Sequence, residues 1–145
     1  MELIPEIRNA WGWIGIDPAE VVCENDFGNL IIRDGDEKYW RLCPEDTYCT
    51  IVAADRQELD RLFKDDEFLM DWRMSMLVEA AERIVGLLDE GQKYCLAIPG
   101  ILGGAYDASN IKSAPLIELI RLSGDLGRQV RDLSDGQKVE LKIID

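Results

Sequence analysis

The chain has 145 residues, of which 16 are basic and 29 acidic, and it contains no histidine, so its formal net charge is −13 at pH 7. This charge disfavours direct binding to nucleic-acid backbones or anionic membranes, and the lack of histidine excludes every catalytic arrangement that needs one. At this length, and with 47% apolar residues, the chain can bury enough apolar surface to fold around a hydrophobic core.

The N-terminus, Met1–Glu6, lacks the basic start and apolar centre of a secretory signal, and no apolar run reaches membrane-spanning length. These features predict a cytoplasmic protein whose thiols stay reduced. A zinc site would need all four cysteines to converge without a histidine, so we predict no metal and no cofactor. Small buried hydrophobic side chains are the expected role of Cys23, Cys43, Cys49 and Cys95.

The first third of the chain changes from helical to strand periodicity. Apolar spacings of three and four predict a helix over Leu3–Ile14, and Asp17 and Pro18 then form a turn. Short runs rich in β-branched and aromatic residues predict an antiparallel meander of strands at Val21–Glu24, Asn29–Arg33, Lys38–Cys43 and Tyr48–Ala53.

The pair Asp34 and Gly35 is a hairpin signal, because both residue types tolerate the positive φ that tight turns require. In the strand that follows, alternation places Trp40 and Leu42 on one face and Arg41 on the other. The four tryptophans are expected to lie mostly in the core, with room for one exposed at an interface.

Helical spacing returns after residue 54. It predicts helices at Gln57–Lys64 and Glu67–Asp89, the second being the longest helix candidate, with a stripe from Phe68 through Trp72, Met76 and Ile84 facing the sheet. A short strand at Tyr94–Ile98 then ends in a tight turn at Gly103 and Gly104, where positive φ or close backbone approach is expected. A helix is predicted from Pro115, and Gly124 and Gly127 could shorten or kink it. It is followed by a turn at Asp135 and Gly136 and by a closing strand at Val139–Ile144.

Together these elements predict an α+β fold in which an antiparallel β-meander packs against several helices. We expect a single domain over 1–145, with a β-rich part at about 17–54 and a helical and C-terminal αβ part at about 55–145.

Acidic clusters lie at predicted turns and helix ends. Their plainest role is solubility, but a negative surface also speeds association with a basic partner. Carboxylate pairs carry little information among so many acids, so we predict no catalytic residue. Two of the clusters supply the candidate partner-binding residues, which are Asp34, Asp36, Glu37, Asp65, Asp66 and Glu67. The third cluster is Glu45 with Asp46.

A series of short motifs resembles the C-terminal domain of bacterial type VI secretion immunity proteins, a family of DNase-effector immunity proteins that is SMI1/KNR4-like in broad character. The resemblance runs over about Phe27–Asp145. It implies a small cytoplasmic protein that binds and blocks a cognate toxin, without identifying the toxin. The motifs are Phe27–Leu30, Tyr39–Leu42, Tyr94–Pro99, Leu102–Tyr106, Asn110–Ile111, Ser123–Leu126 and Asp132–Gly136.

Three hypotheses follow. The first is an immunity protein that occludes the active site of a basic toxin by tight stoichiometric binding. The second is an SMI1/KNR4-like adaptor or regulatory module that binds an unrelated cellular protein. The third is a carboxylate-dependent hydrolase, which predicts a cleft containing an acid of raised pKa.

Overall fold

A computed structural model describes residues 2–131 of the chain, and over this range the fold is α+β, as predicted. The strands within the range are β1 (Pro18–Glu24), β2 (Leu30–Asp34), β3 (Tyr39–Cys43), β4 (Tyr48–Ala53), β5 (Gln92–Leu96) and β6 (Ile111–Pro115). The α-helices are α1 (Leu3–Trp11), α2 (Arg56–Leu62), α3 (Asp66–Arg73), α4 (Ser75–Ile84) and α5 (Leu116–Val130).

The predicted turn at Asp135 and Gly136 and the predicted strand at Val139–Ile144 lie outside the described residues. Within residues 2–131, no helix has both the length and the apolar character needed to cross a membrane.

Strands β1 to β4 form the predicted antiparallel meander, in that order across the sheet. The register pairs Leu30 with Leu42 and Ile32 with Trp40, so these side chains share one face. That face meets α1 and α5 in a core cluster, and the opposite face carries Arg41. The predicted facing of this strand is therefore confirmed, and both faces of the sheet are covered by helices.

The predicted helix over Glu67–Asp89 is wrong, because the chain breaks at Met74, whose φ of +49° is left-handed. A side chain just after β1 takes the place of the hydrogen bond that helix continuation would need: Asn25 Nδ2 donates to the carbonyl of Trp72 at 2.8 Å. The break separates residues that a continuous helix would align. Trp72 is 7% exposed in the core, whereas Met76 is 86% exposed.

The second sheet contains a strand that the sequence analysis does not predict. Strand β6 pairs antiparallel with β5, from Gln92 opposite Pro115 to Leu96 opposite Ile111. Its central residues, Lys112 and Ser113, lack the β-branched or aromatic character of a typical strand and are exposed. Pairing with β5 and the adjacent helices therefore decides its conformation.

Helix α5 runs from Leu116 to Val130 through both of its glycines, so they do not shorten it. Helix α1 crosses α5 so closely that a Cβ on Gly124 would lie 2.4 Å from the carbonyl oxygen of Ala10. A Cβ on Gly127 would lie 2.9 Å from the ring of Trp11. Glycine is needed here to let two helices approach, which brings Ile7 and Trp11 into the core beside Ile120.

Candidate protein-interaction surface

The predicted acidic turn between β2 and β3 is built around Asp34, which is only 6% exposed. Its Oδ1 accepts hydrogen bonds from the backbone N–H groups of Asp36 and Lys38 at 2.8 and 2.9 Å, and its Oδ2 accepts one from Trp40 Nε1 at 2.8 Å. Burial alone would raise the pKa of this carboxyl, but the bonds from Trp40 and the backbone outweigh it and lower the pKa. Asp34 is thus an ionised group held inside the turn.

The side chains that this turn presents to solvent are Asp36 and Glu37. Glu37 carries the positive φ, +66°, which the sequence analysis had placed at Asp34 and Gly35. Gly35 instead allows a close approach, since a Cβ there would lie 2.7 Å from Asp17 Oδ2. Glu37 also forms an exposed ion pair with Arg33 at 3.1 Å.

The second acidic group begins helix α3. Asp65 is the N-cap, and its Oδ1 accepts from the backbone N–H of Glu67 at 2.9 Å and of Phe68 at 3.4 Å. Asp66 and Glu67 occupy the first turn, where negative charge favours the helix dipole, and both are exposed. Among the described residues, no hydrogen bond or ion pair joins this group to the acids of the hairpin.

A buried polar network that the sequence did not predict connects the sheet to α3. The Arg41 side chain is buried; its Nε donates to Asn29 Oδ1 at 3.0 Å and its Nη1 to Asp71 Oδ2 at 2.5 Å. Its guanidinium lies over the rings of Trp72 and Phe68, 5.2 and 5.8 Å from their centroids. One feature of the sequence could have indicated this network. It is an arginine within a strand of mainly apolar residues, followed later in the chain by aromatic residues in predicted helices.

The same network reaches a buried carboxylate on the β3–β4 turn. Asn29 Nδ2 donates to both oxygens of Glu45, at 3.0 and 2.8 Å, and Cys43 Sγ lies 3.0 Å from Oε1. Burial raises the pKa of Glu45, although the hydrogen bonds from Cys43 and Asn29 counteract this effect. Burial likewise raises the pKa of the Cys43 thiol. Glu45 is therefore part of the hydrogen-bonded interior, unlike the exposed acids discussed above.

Cys43, Glu45 and Asp46 bring ligand-type atoms within 4.8 Å of one another. In this arrangement the Asn29 amide and the Cys43 thiol both donate to Glu45. All four cysteines are free thiols, two of them buried (Cys43 and Cys49) and two half-buried (Cys23 and Cys95).

The loop after β5 is held rigidly by one side chain. Asn110 Nδ2 donates to the carbonyls of Ile98 and Ala105 at 2.8 and 3.0 Å, and its Oδ1 accepts from the N–H of Ile98 at 2.9 Å. Gly103 has a φ of +89°, and a Cβ on Gly104 would lie 1.7 Å from the carbonyl oxygen of Ile98. The predicted turn is confirmed, with positive φ at one glycine and close approach at the other.

This loop forms one wall of a cleft of about 480 Å³. The other walls are β5 and β6, helix α5, and the β3–β4 turn. The lining is mainly apolar, including Phe27, Leu96 and Leu126, and its acidic groups are Glu45 and Asp125. Such an apolar concavity with a few polar groups is typical of sites that bind another molecule.

Several large apolar side chains face solvent, on the cleft wall and elsewhere on the described surface. Leu122 on α5 lines the cleft and is 55% exposed, and Ile98 and Ile101 on the loop are 55% and 48% exposed. Two further exposed residues, Met70 and Met76, lie on α3 and α4. Clustered exposed apolar side chains mark candidate interaction surfaces.

Comparison with known proteins gives a family match and a similarity to solved structures. Residues 53–127, more than half of the chain, match the family described as "T6SS immunity protein Tdi1, C-terminal". The fold resembles the crystal structure of Atu4351 from Agrobacterium tumefaciens, with a TM-score of 0.53 and 15% identity. That similarity covers 83% of this chain and 61% of the other, so the chain spans less than two thirds of its length. No curated protein matches the chain.

Proposed function

The chain belongs to the family of the C-terminal domain of the type VI secretion immunity protein Tdi1, and we propose that it binds a cognate toxin and neutralises it by occluding its active site. The family match over residues 53–127 carries this proposal. The matched region includes α3 with its acidic first turn, the loop after β5 and most of α5. An inhibitor of this kind needs a stable fold and a complementary surface, and it needs no reactive group of its own.

Charge supports a basic partner. The net charge of −13 creates a negative field around the protein, and such fields raise association rates with oppositely charged surfaces. A toxin that acts on nucleotides or nucleic acid uses basic residues to hold phosphate groups, and those residues would match this field. We propose that binding is tight and stoichiometric, and that it takes place in the cytoplasm.

The proposed partner-binding acids lie on the β2–β3 turn and at the start of α3. Asp36, Glu37, Asp66 and Glu67 present exposed carboxylates. Asp34 and Asp65 act by shaping these two sites, since one closes the turn and the other caps the helix. Their role in binding is thus to hold the exposed acids in fixed positions.

The first experiment tests the function itself. The toxin probe is the product of the gene adjacent to the one encoding this chain, co-expressed with it in the same cells. We expect a one-to-one complex on co-purification and survival of cells that otherwise stop growing. Absence of both a complex and rescue would refute the proposal, and binding to an unrelated cellular protein instead would favour the adaptor hypothesis.

A second experiment tests the acidic surface. The double variant Asp66→Lys with Glu67→Lys should slow association with the toxin, by about tenfold at low salt, and leave dissociation nearly unchanged. Raised salt should reduce the difference. The control is Glu58→Lys, because Glu58 is an exposed acid in the first turn of another Asp-capped helix, α2, where it is the third helical residue. Equal association rates for the double variant and the control would remove α3 from the interface.

One observation favours a second candidate function, a carboxylate-dependent hydrolase. Glu45 lines the cleft, its pKa is raised by burial, and Asp125 lines the same cleft. Glycosidases use two such carboxylates, one as an acid. Against this candidate, Asn29 occupies both oxygens of Glu45. Turnover of a glycoside by the purified protein that is lost in Glu45→Gln would establish catalysis and displace the immunity proposal.

A further inference from the structure

We infer that the cleft between the β5–β6 sheet and α5 receives an anchoring segment of the toxin, in which a large apolar side chain stands beside a basic one. This inference rests on the proposed function and adds a second contact to it, separate from the acids of the β2–β3 turn and α3. The cleft carries the inference because its lining is mainly apolar, it includes the acidic residue Asp125, and the exposed side chain of Leu122 lies on one wall.

The interior suits an apolar side chain. Phe27, Leu96, Leu102 and Leu126 contribute apolar surface to a space of about 480 Å³. That volume lies in the range that proteins use for small ligands. Burying a large side chain in a dehydrated pocket is the usual origin of a binding hot spot.

The polar positions favour a neighbouring positive charge. Asp125 lines the cleft, and the exposed Asp46 lies beside the loop wall, where its Oδ1 would be 3.0 Å from a Cβ on Gly100. Glu45 also lines the cleft, but Asn29 already donates to both of its oxygens. Lys112 is the basic residue among the described lining. A partner segment with a lysine or arginine next to its apolar anchor would therefore meet more negative than positive charge.

The wall is organised before any partner binds. The Asn110 side chain holds the loop by donating two hydrogen bonds and accepting one. The backbone N–H of Gly100 donates to the carbonyl of Glu45 at 2.9 Å, which connects the loop to the β3–β4 turn. Ile98, Ile101 and Leu122 stay exposed on this fixed framework. Pre-organisation of this kind lowers the entropy cost of association.

The cleft contains a natural chemical probe. Cys95 is half-buried and lines the cleft, whereas Cys23 is half-buried on β1 and does not line it. Burial raises the pKa of both thiols, so their reactivities change in the same direction with pH. Labelling of the full chain with N-ethylmaleimide, with and without the toxin, should slow at Cys95 by about tenfold or more and leave Cys23 nearly unchanged, as expected for a thiol closed off from reagent.

A substitution provides the second measurement. Leu122→Glu should weaken toxin binding by about 30-fold, as loss of a hot-spot contact does, while circular dichroism shows an unchanged fold. The matched control is Leu87→Glu, because Leu87 is an exposed leucine, 83% accessible, that does not line this cleft. We expect the control to bind as the wild type does.

The outcomes separate the two proposals. If the wild type does not bind the toxin, the proposed function fails. If it binds while Cys95 stays reactive and Leu122→Glu matches the control, the cleft inference alone is overturned. The inference is also overturned if Cys95 is already protected from the reagent in the free protein. Protection that is lost on dilution would indicate that a second copy of the chain fills the cleft. Protection that is lost on truncation after Arg131 would indicate that the chain's own end fills it.

Discussion

Replacement of Gly124 by alanine tests the close crossing of α1 and α5 that organises the first core cluster. The added Cβ would meet the carbonyl oxygen, carbonyl carbon and Cβ of Ala10 at 2.4, 2.7 and 2.8 Å. Comfortable contacts between carbon atoms lie at about 3.5–4.0 Å, so the helices would have to separate by about 1 Å. Two of the three obstructing atoms are backbone, which no rotamer change can move.

The expected change in stability has two parts. Overpacking a well-packed contact costs about 1–3 kcal/mol, and the upper end applies where the obstacle is backbone. Replacing glycine by alanine within a helix returns about 1 kcal/mol. The net expectation for Gly124→Ala is a loss of about 2 kcal/mol in the free energy of unfolding, which for a chain of this size lowers Tm by roughly 4–8 °C.

Gly12→Ala is the matched control. Gly12 follows α1, has a right-handed φ of −56°, and has open space where its Cβ would be built. Alanine there should stabilise the protein by about 0.5–1 kcal/mol, because it restricts the unfolded chain without a clash. Urea unfolding followed by tryptophan fluorescence measures both variants, since Trp11 and Trp13 stack at this contact. A midpoint for Gly124→Ala equal to or above that of the wild type would refute the reasoning.

Three further substitutions test the interior and the turns. Glu45→Gln should remove a pH dependence of the free energy of unfolding. Burial raises the pKa of Glu45 in the folded protein, so the unfolded chain releases this proton first as pH rises above 4.5, the ordinary pKa of the group. The wild type should therefore lose stability relative to the variant above that pH. Asn110→Ala should cost about 2–3 kcal/mol by leaving the Ile98 backbone groups unpaired, and should speed labelling of Cys95. Glu37→Gly should stabilise by about 0.5 kcal/mol, because relief of the left-handed φ exceeds the entropy cost of glycine.

Each of these has its own control. For Glu45, a pH profile parallel to that of the wild type would contradict the role given to burial. Ser109→Ala, at an exposed neighbour of Asn110, should leave both stability and Cys95 labelling close to those of the wild type. Asp36→Gly should be neutral or destabilising, because Asp36 does not have a positive φ. A gain at Asp36 as large as that at Glu37 would argue against strain at Glu37.

Where local pattern and tertiary packing agreed, the sequence predicted structure well. The meander and the facing of Trp40 and Leu42 followed from a period-two pattern that burial on one face enforces. The α5 helix likewise followed from its apolar spacing. The break at Met74 could not be predicted from local pattern, because it depends on Asn25, a residue 49 positions away in the chain. Strand β6 was missed because its conformation depends on pairing with β5.

The candidate site shows the same division. The exposed acids Asp36, Asp66 and Glu67 could be selected from the sequence, because turns and helix starts lie at the surface. The burial of Asp34 and Glu45 could not, since a carboxylate is buried only where partners such as Trp40 and Asn29 converge on it. The cleft could not be predicted from the sequence either, because its walls come from separate parts of the chain.

The sequence by itself determined the acidic character, the α+β class, the order of most elements and the family to which the chain belongs. These properties depend on composition, local periodicity and short motifs, which are written along the chain. Only the tertiary structure decided which acids face solvent, why α5 contains Gly124, and where an apolar cleft opens beside Leu122. The reason is that burial, close approach and concavity are relations between segments distant in sequence, and packing alone brings those segments together.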